Sequence, residues 1–149
     1  MSLYLLDLNV LQAITPGGDG HVAAWLRTVR DDELRVSSVT FFEKRRGWER
    51  ERRKRVAAGR DTADVDVKLA AAAAIEAAYK DRHVPLDTEI HAELARLLGA
   101  KDKNLRDTAL AATARVYKMV VVTRNVGDFV GRDVDVLNPF EPNPEIKRV

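Results

Sequence analysis

The 149 residues contain no cysteine, which excludes disulfides and thiolate metal sites and is compatible with a reducing cytoplasm. Histidine is scarce: His21, His83 and His91 show no ligand spacing, so a structural zinc site is not expected. No apolar run approaches the ~18 residues of a membrane span, and no signal-peptide pattern stands at the start. A cytoplasmic, membrane-free protein is the expectation. Overall charge of one sign is missing too, since the formal net charge is only +2. With 46% hydrophobic and 32% charged residues, the composition is that of a globular chain rather than a disordered one. Its length fits one core-bearing domain. Without internal repeats or linkers, the expected organisation is one domain over residues 1–140 and a tail over 141–149.

The local charge distribution says more than the total. Residues 44–55 read KRRGWERERRKR, with eight basic and two acidic side chains. Such a patch suits a phosphate backbone. It equally suits a solvated helix face on which Glu49 and Glu51 make neighbouring ion pairs. Trp48 fits packing between helices better than stacking on a base.

Tyr4-Leu5-Leu6 is a short apolar run that ends on Asp7, the pattern of a buried parallel strand. A short helix over 9–14 then stops before Thr15-Pro16-Gly17-Gly18. Asp19 can cap the next helix, with Val22, Trp25, Leu26 and Val29 at helical spacing. Residues 33–37 read as a second strand, and Ser38 or Thr40 starts a helix carrying Phe41, Phe42, Glu43 and the basic run to Gly59. The alanine-rich stretch 64–80 is strongly helix-forming, with Leu69, Ala73, Ile75 and Ala78 available for packing. Pro85 makes 83–86 an edge strand. A helix from Asp87 to Leu98, a polar loop over 101–104 and a helix over 105–117 precede Met119-Val120-Val121-Val122-Thr123, a convincing buried strand. A short turn or helix over 125–130, a last strand over 134–137 and a proline-bearing tail lying over the surface complete the chain. Alternating strands and helices predict an α/β fold, a three-layer α/β/α domain with a central, mainly parallel sheet.

In open α/β sheets, ligands bind beyond the carboxyl ends of the strands. Asp7 ends the first strand, Glu43 lies early in the helix after the second, and Asp128 follows the VVVT strand. Asp107 joins them if its helix starts at the same rim. Singly, each helix acid could be a cap or a partner of the helix dipole. Together they would repel one another unless a cation joined them, and hard oxygen ligands select Mg²⁺, with Mn²⁺ as the other choice. Beside a basic helix, such a site suits phosphodiester hydrolysis.

Four motifs then appear in order: Asp7-x-Asn9-Val10-Leu11, Ser37-x-Val39-Thr40-x-x-Glu43-x-Arg45-Arg46-Gly47, Arg106-Asp107-x-x-Leu110-Ala111-Ala112-Thr113-Ala114 and Thr123-Arg124-Asn125-Val126-x-Asp128-Phe129. With the closing Leu137-Asn138-Pro139-Phe140, the chain resembles a PIN-domain protein from Tyr4 to Phe140, specifically a VapC-type toxin of the FitB-like branch. The resemblance implies a Mg²⁺-dependent endoribonuclease toxin, a homodimer, neutralised by a cognate VapB-like antitoxin. By this likeness Asp7, Glu43 and Asp107 bind the metal. The fourth position falls on Asp128, with Asn125 as a neutral ligand or water holder. Thr123 and Asn9 are expected to support the acids from behind, although Asn9 could equally be a helix cap. Arg45 and Arg46 could contact RNA or the antitoxin.

The chain departs from the family at Leu8, where threonine is frequent, and at Phe42 and Lys44, which flank Glu43. Leu8 and Asn125 leave room for an alternative: a non-catalytic basic module, binding RNA or protein, with a degenerate acidic pocket. A phosphotransferase of the haloacid dehalogenase type would need aspartate where Asn9 stands, and a receiver domain would need lysine after the VVVT strand. The RNA target, the antitoxin and the number of metals are not legible in the sequence.

Overall fold

A computed structural model describes residues 2–100 and 104–149. The polar loop expected over 101–104 therefore lies, Asn104 apart, outside the described residues. Strand β1 (Leu3–Leu6) is central. Beside it lie β2 (Leu34–Ser37) and β4 (Met119–Val122), both parallel to it, Tyr4 facing Leu34 and Val120. β3 (His83–Val84) extends the sheet beyond β2, and β5 (Asp135–Leu137) beyond β4, again in parallel. The order is β3-β2-β1-β4-β5-β6. β3 is an edge, as Pro85 requires.

The other edge was not anticipated. Instead of lying over the surface, the end of the chain adds β6 (Lys147–Arg148), antiparallel to β5. Two residues without apolar alternation carry no readable strand signal; their pairing comes from the β5 edge that they meet and from Val149, whose backbone exchanges two hydrogen bonds with Val134.

Successive strand residues point to opposite faces. Leu5, Val121 and Val136 pack with Ile90, Leu110 and Ala111, from α5 (Thr88–Leu98) and α6 (Leu105–Tyr117). Leu6, Val120 and Val122 pack on the other side with Val10, Val22, Trp25 and Phe41. These come from α1 (Leu8–Ala13), α2 (Gly20–Leu26) and α3 (Ser38–Ala57). The result is the α/β/α arrangement with a mainly parallel sheet. α6 is the most enclosed helix, with residues 107–114 all buried, and its alanines allow its neighbours to approach closely.

Helix α4 (Ala63–Ala78) packs chiefly on α3 and buries only Val65 and Ala72. Ala73 and Ala78, expected at the contact, are exposed. An outer helix needs only one narrow stripe, here 65, 69, 72 and 76, and alanine runs do not say which stripe that is. Among the described residues, no helix is long and apolar enough to cross a membrane.

Candidate metal and nucleic-acid site

The carboxyl ends of β1 and β4 lie side by side. Asp7 N–H donates to Val122 O at 2.9 Å and Thr123 N–H to Leu137 O at 3.0 Å, so both residues are fixed by the sheet ladder. Asp7 is only 6% exposed and Thr123 fully buried. One Asp7 oxygen accepts the Leu8 N–H at 2.7 Å, at the start of α1. The other accepts Thr123 Oγ1–H at 2.8 Å and Asn9 Nδ2–H at 3.3 Å. Thr123 Oγ1 in turn accepts Asn125 N–H at 3.0 Å, and Asn9 Oδ1 accepts Arg124 N–H at 3.1 Å. Two chain segments more than a hundred residues apart are thus knitted around one carboxylate. Asn9 supports Asp7 as expected but does not cap the helix: Asp7 is itself the N-cap of α1, and Asn9 lies within the first turn.

β2 ends at Ser37, whose hydroxyl accepts Val39 N–H at 3.1 Å and caps α3. Glu43 follows in the second turn. α6 is joined to β4 by Lys118 in a left-handed conformation, and this reversal sends the start of α6 to the same rim. Asp107, in its first turn, is 9% exposed.

The electrostatics register the convergence. Burial pushes the Glu43 carboxyl above its ordinary range; the negative charges of Asp7 and Asp107 add to this and Arg106 opposes it. Burial likewise raises Asp107, helped by Asp7 and by Asp128, and opposed by Arg106 and Arg132. Asp7, Glu43 and Asp107 therefore share one neighbourhood. Asp128, exposed in the 3₁₀ turn Val126–Phe129, stands at its margin, and Asn125, also exposed, begins that turn. Among the described residues, no three acids are already drawn together at ligand distances. Glu43 is instead held by Arg106 Nη1 at 2.7 Å, the single ion pair made with any of these four acids among the described residues. The donor set still fits a hard divalent cation. It is all oxygen, two of its carboxylates are buried without an ion-pair partner among the described residues, and their charges oppose each other.

The basic helix divides into two faces. Arg45 makes a bidentate pair with Glu76 of α4 at 2.6 and 2.7 Å, Arg52 pairs with Asp66 at 2.9 Å, and Arg55 bridges Glu51 and Asp64. Arg46, Arg50, Arg53 and Lys54 make no ion pair among the described residues. Arg46 and Arg50 line a cleft of about 550 Å³ with Trp48, Leu8 and Gln12 that reaches Glu43 and Arg106. A second cleft, of about 440 Å³, leads from the same two residues along Phe42, Leu86, Leu94 and Leu105. Trp48 is half-buried at the cleft wall, and Phe42 is exposed. The expected pair of contact arginines is therefore unequal: Arg46 lines the clefts beside Glu43, and Arg45 is bound to α4.

Sequence reasoning passed over Arg106 as a functional residue. Its place directly before Asp107 was the available signal, but its partner lies on another element.

Comparison with known proteins bears on the fold. The chain is 27% identical to the toxin FitB of Neisseria gonorrhoeae over 144 residues, 93% of this chain and 99% of that protein. It superposes on the solved structure of FitAB bound to an IR36 DNA fragment with a TM-score of 0.73 and 27% identity, covering 93% and 96% of the two chains. Its fold is also that of VapBC-1 from nontypeable Haemophilus influenzae, at 17% identity, a TM-score of 0.63 and coverage of 93% and 99%. The PIN-domain family model matches residues 4–129, every element from β1 through the turn that carries Asp128, and the chain belongs to the PIN-domain family.

Proposed function

We propose that this protein is a divalent-metal-dependent endoribonuclease, the toxin of a toxin–antitoxin pair, held inactive by a cognate antitoxin of the VapB or FitA kind. The observation that carries the reading is the meeting of Asp7, Glu43 and Asp107, from three separate segments, at one rim where burial and neighbouring negative charges disfavour ionisation of Glu43 and Asp107. Carboxylates gathered at such a cost are suited to a cation, here Mg²⁺ or Mn²⁺. When bound, the metal supplies Lewis acidity and an activated water for phosphodiester hydrolysis.

In this reading Asp7, Glu43 and Asp107 hold the metal and Asp128 completes the set from its margin, with Asn125 beside it. Thr123 and Asn9 keep the Asp7 carboxylate turned to the rim through their hydrogen bonds. Arg46, and Arg50 beyond it, receive backbone phosphates in the cleft that opens on Glu43. Likeness to the toxins of known toxin–antitoxin complexes supports an antitoxin partner; the homodimer is inferred from the family resemblance of the sequence.

The test is incubation of total cellular RNA with purified, antitoxin-free protein in Mg²⁺. Discrete fragments that vanish with EDTA, with Asp7→Asn and with Asp107→Asn are the expected result. Folded protein that cuts nothing in Mg²⁺ or Mn²⁺ would instead favour a non-catalytic binding module. Cleavage surviving both substitutions would remove these acids from the mechanism.

A further inference from the structure

Arginine is an unexpected neighbour for a cation site. Arg106 Nη1 stands 2.7 Å from Glu43 Oε1, and this positive charge opposes the burial that raises the Glu43 carboxyl. Nothing about the helix favours the residue there. Arg106 occupies the first turn of α6, where the positive end of the helix dipole repels cations. Its attachment is to Glu43 alone among the described residues, and with 52% of its side chain exposed, against 23% for Glu43, it is the partner free to move. It also borders both clefts that meet at Glu43, so its guanidinium can reach toward either without leaving the rim.

We propose that Arg106 serves in turn as the counter-ion of Glu43 and as a ligand for an RNA phosphate. With no divalent cation present, it neutralises the carboxylate; when that carboxylate is engaged, the guanidinium turns to the substrate. Planar, bidentate and always charged, it is suited to both partners. Metal and RNA binding are thereby coupled, since each relieves Arg106 of the same competing interaction. The proposal rests on the metal-site reading above.

The experiment is a double-mutant cycle read by calorimetry with Mn²⁺ alone, on the parent, Arg106→Gln, Glu43→Gln and the double variant. An exposed ion pair is weak, so Arg106→Gln should bind Mn²⁺ about two- to fivefold more tightly. That gain should vanish in the Glu43→Gln background. Arg106→Lys, which retains the charge, should stay near the parent, as would not be the case if loss of packing were responsible. Arg132→Gln removes a charge that also acts on Asp107 but makes no ion pair with the acids, and should change affinity less. With phosphorothioate-linked single-stranded RNA and Mn²⁺, Arg106→Gln should lower the salt dependence of binding by about 0.7, the share of one neutralised phosphate. Unchanged or weaker Mn²⁺ affinity in Arg106→Gln, a gain that persists without Glu43, or an equal gain in Arg132→Gln would overturn the proposal while leaving the metal site intact. A parent that binds no Mn²⁺ would overturn the metal-site reading as well.

Discussion

Helix α3 contributes to both halves of the site, and its two ends are stabilised by opposite means. Near its start, Glu43 lies half-buried among other carboxylates, and burial and like charge raise its affinity for protons. Further along, arginines meet acids of α4 in solvent, and the Arg45 hydrogen bonds hold the Glu76 carboxyl below its ordinary range. The first region leaves Asp7 and Asp107 without an ion-pair partner among the described residues and gives Glu43 only Arg106, whereas the second pairs its charges locally. Exposed pairs of the second kind contribute little each, ~0.2–1 kcal/mol, but they decide which arginines remain available to a ligand. A uniform basic run in the sequence is therefore two surfaces, one fastened to the protein and one facing the acid cleft.

This contrast can be broken at its acidic end with the largest effect. Asp107→Asn should reduce RNA cleavage by more than the about 10–100-fold typical of residues that only support a metal ligand. In EDTA the same variant should be at least as thermally stable as the parent, because it removes a repelling charge. Loss of activity together with lower stability would mean that the carboxylate is structural. Thr123→Val, which deletes the hydroxyl donated to Asp7, should weaken Mn²⁺ binding by about 10–100-fold while the sheet remains intact. Unchanged affinity would place the burden of orienting Asp7 on Asn9 and the backbone.

The basic end gives a smaller and more selective effect. Replacing Arg46 and Arg50 with glutamine should reduce the salt dependence of single-stranded RNA binding by about 0.7 for each phosphate that is no longer neutralised. The same change at Arg45 and Arg52 should leave that slope alone and cost at most ~1 kcal/mol per pair in stability. Equal slopes for both double variants would erase the distinction between the two faces.

Acidification separates the regimes with the smallest expected shift. Hydrogen bonds from Arg96, and next from Arg115, hold Glu93 down to about 2, so its contribution to stability is present above its ordinary value of 4.5 and lost as pH falls toward 2. Glu43 and Asp107 have the opposite sign: their raised affinity for protons means that the folded state gains stability as pH falls through their range. Titrated in EDTA, Glu93→Gln should flatten the acid limb of the stability curve by ~1 kcal/mol or less, since the pair is partly solvated. Asp107→Asn should remove the share of that gain on acidification which Asp107 contributes. A Glu93→Gln curve parallel to the parent would show that this network is inert.

Much of the fold was legible because periodicity and punctuation report local physics. An unbroken Met119–Val122 run can only be a strand buried on both faces, Asp19 and Asp87 mark helix starts through their side-chain hydrogen bonds, and Pro85 confines β3 to an edge. The face of α4 was legible only in part: Leu69 and Ile75 are partly buried as expected, but the alanines between them fit any stripe. β6 was not legible, since it exists only because β5 offers it an edge. Position in the chain also placed the acids near strand ends and helix starts, the places from which side chains can converge.

What the sequence determined by itself was the inventory: oxygen ligands without sulfur, a buried parallel sheet, acids at its rim and a concentrated basic run. These follow from residue type and from spacing over a few residues, where covalent geometry fixes which side chains share a face. The tertiary structure decided the partnerships. It set Thr123 against Asp7, Arg45 against Glu76 and Arg106 against Glu43, each across different elements and tens of residues apart in the chain. Charge pairing acts through space over a few ångströms and is indifferent to separation along the chain, so only the packed molecule shows which basic groups are already spoken for and which remain to meet a ligand.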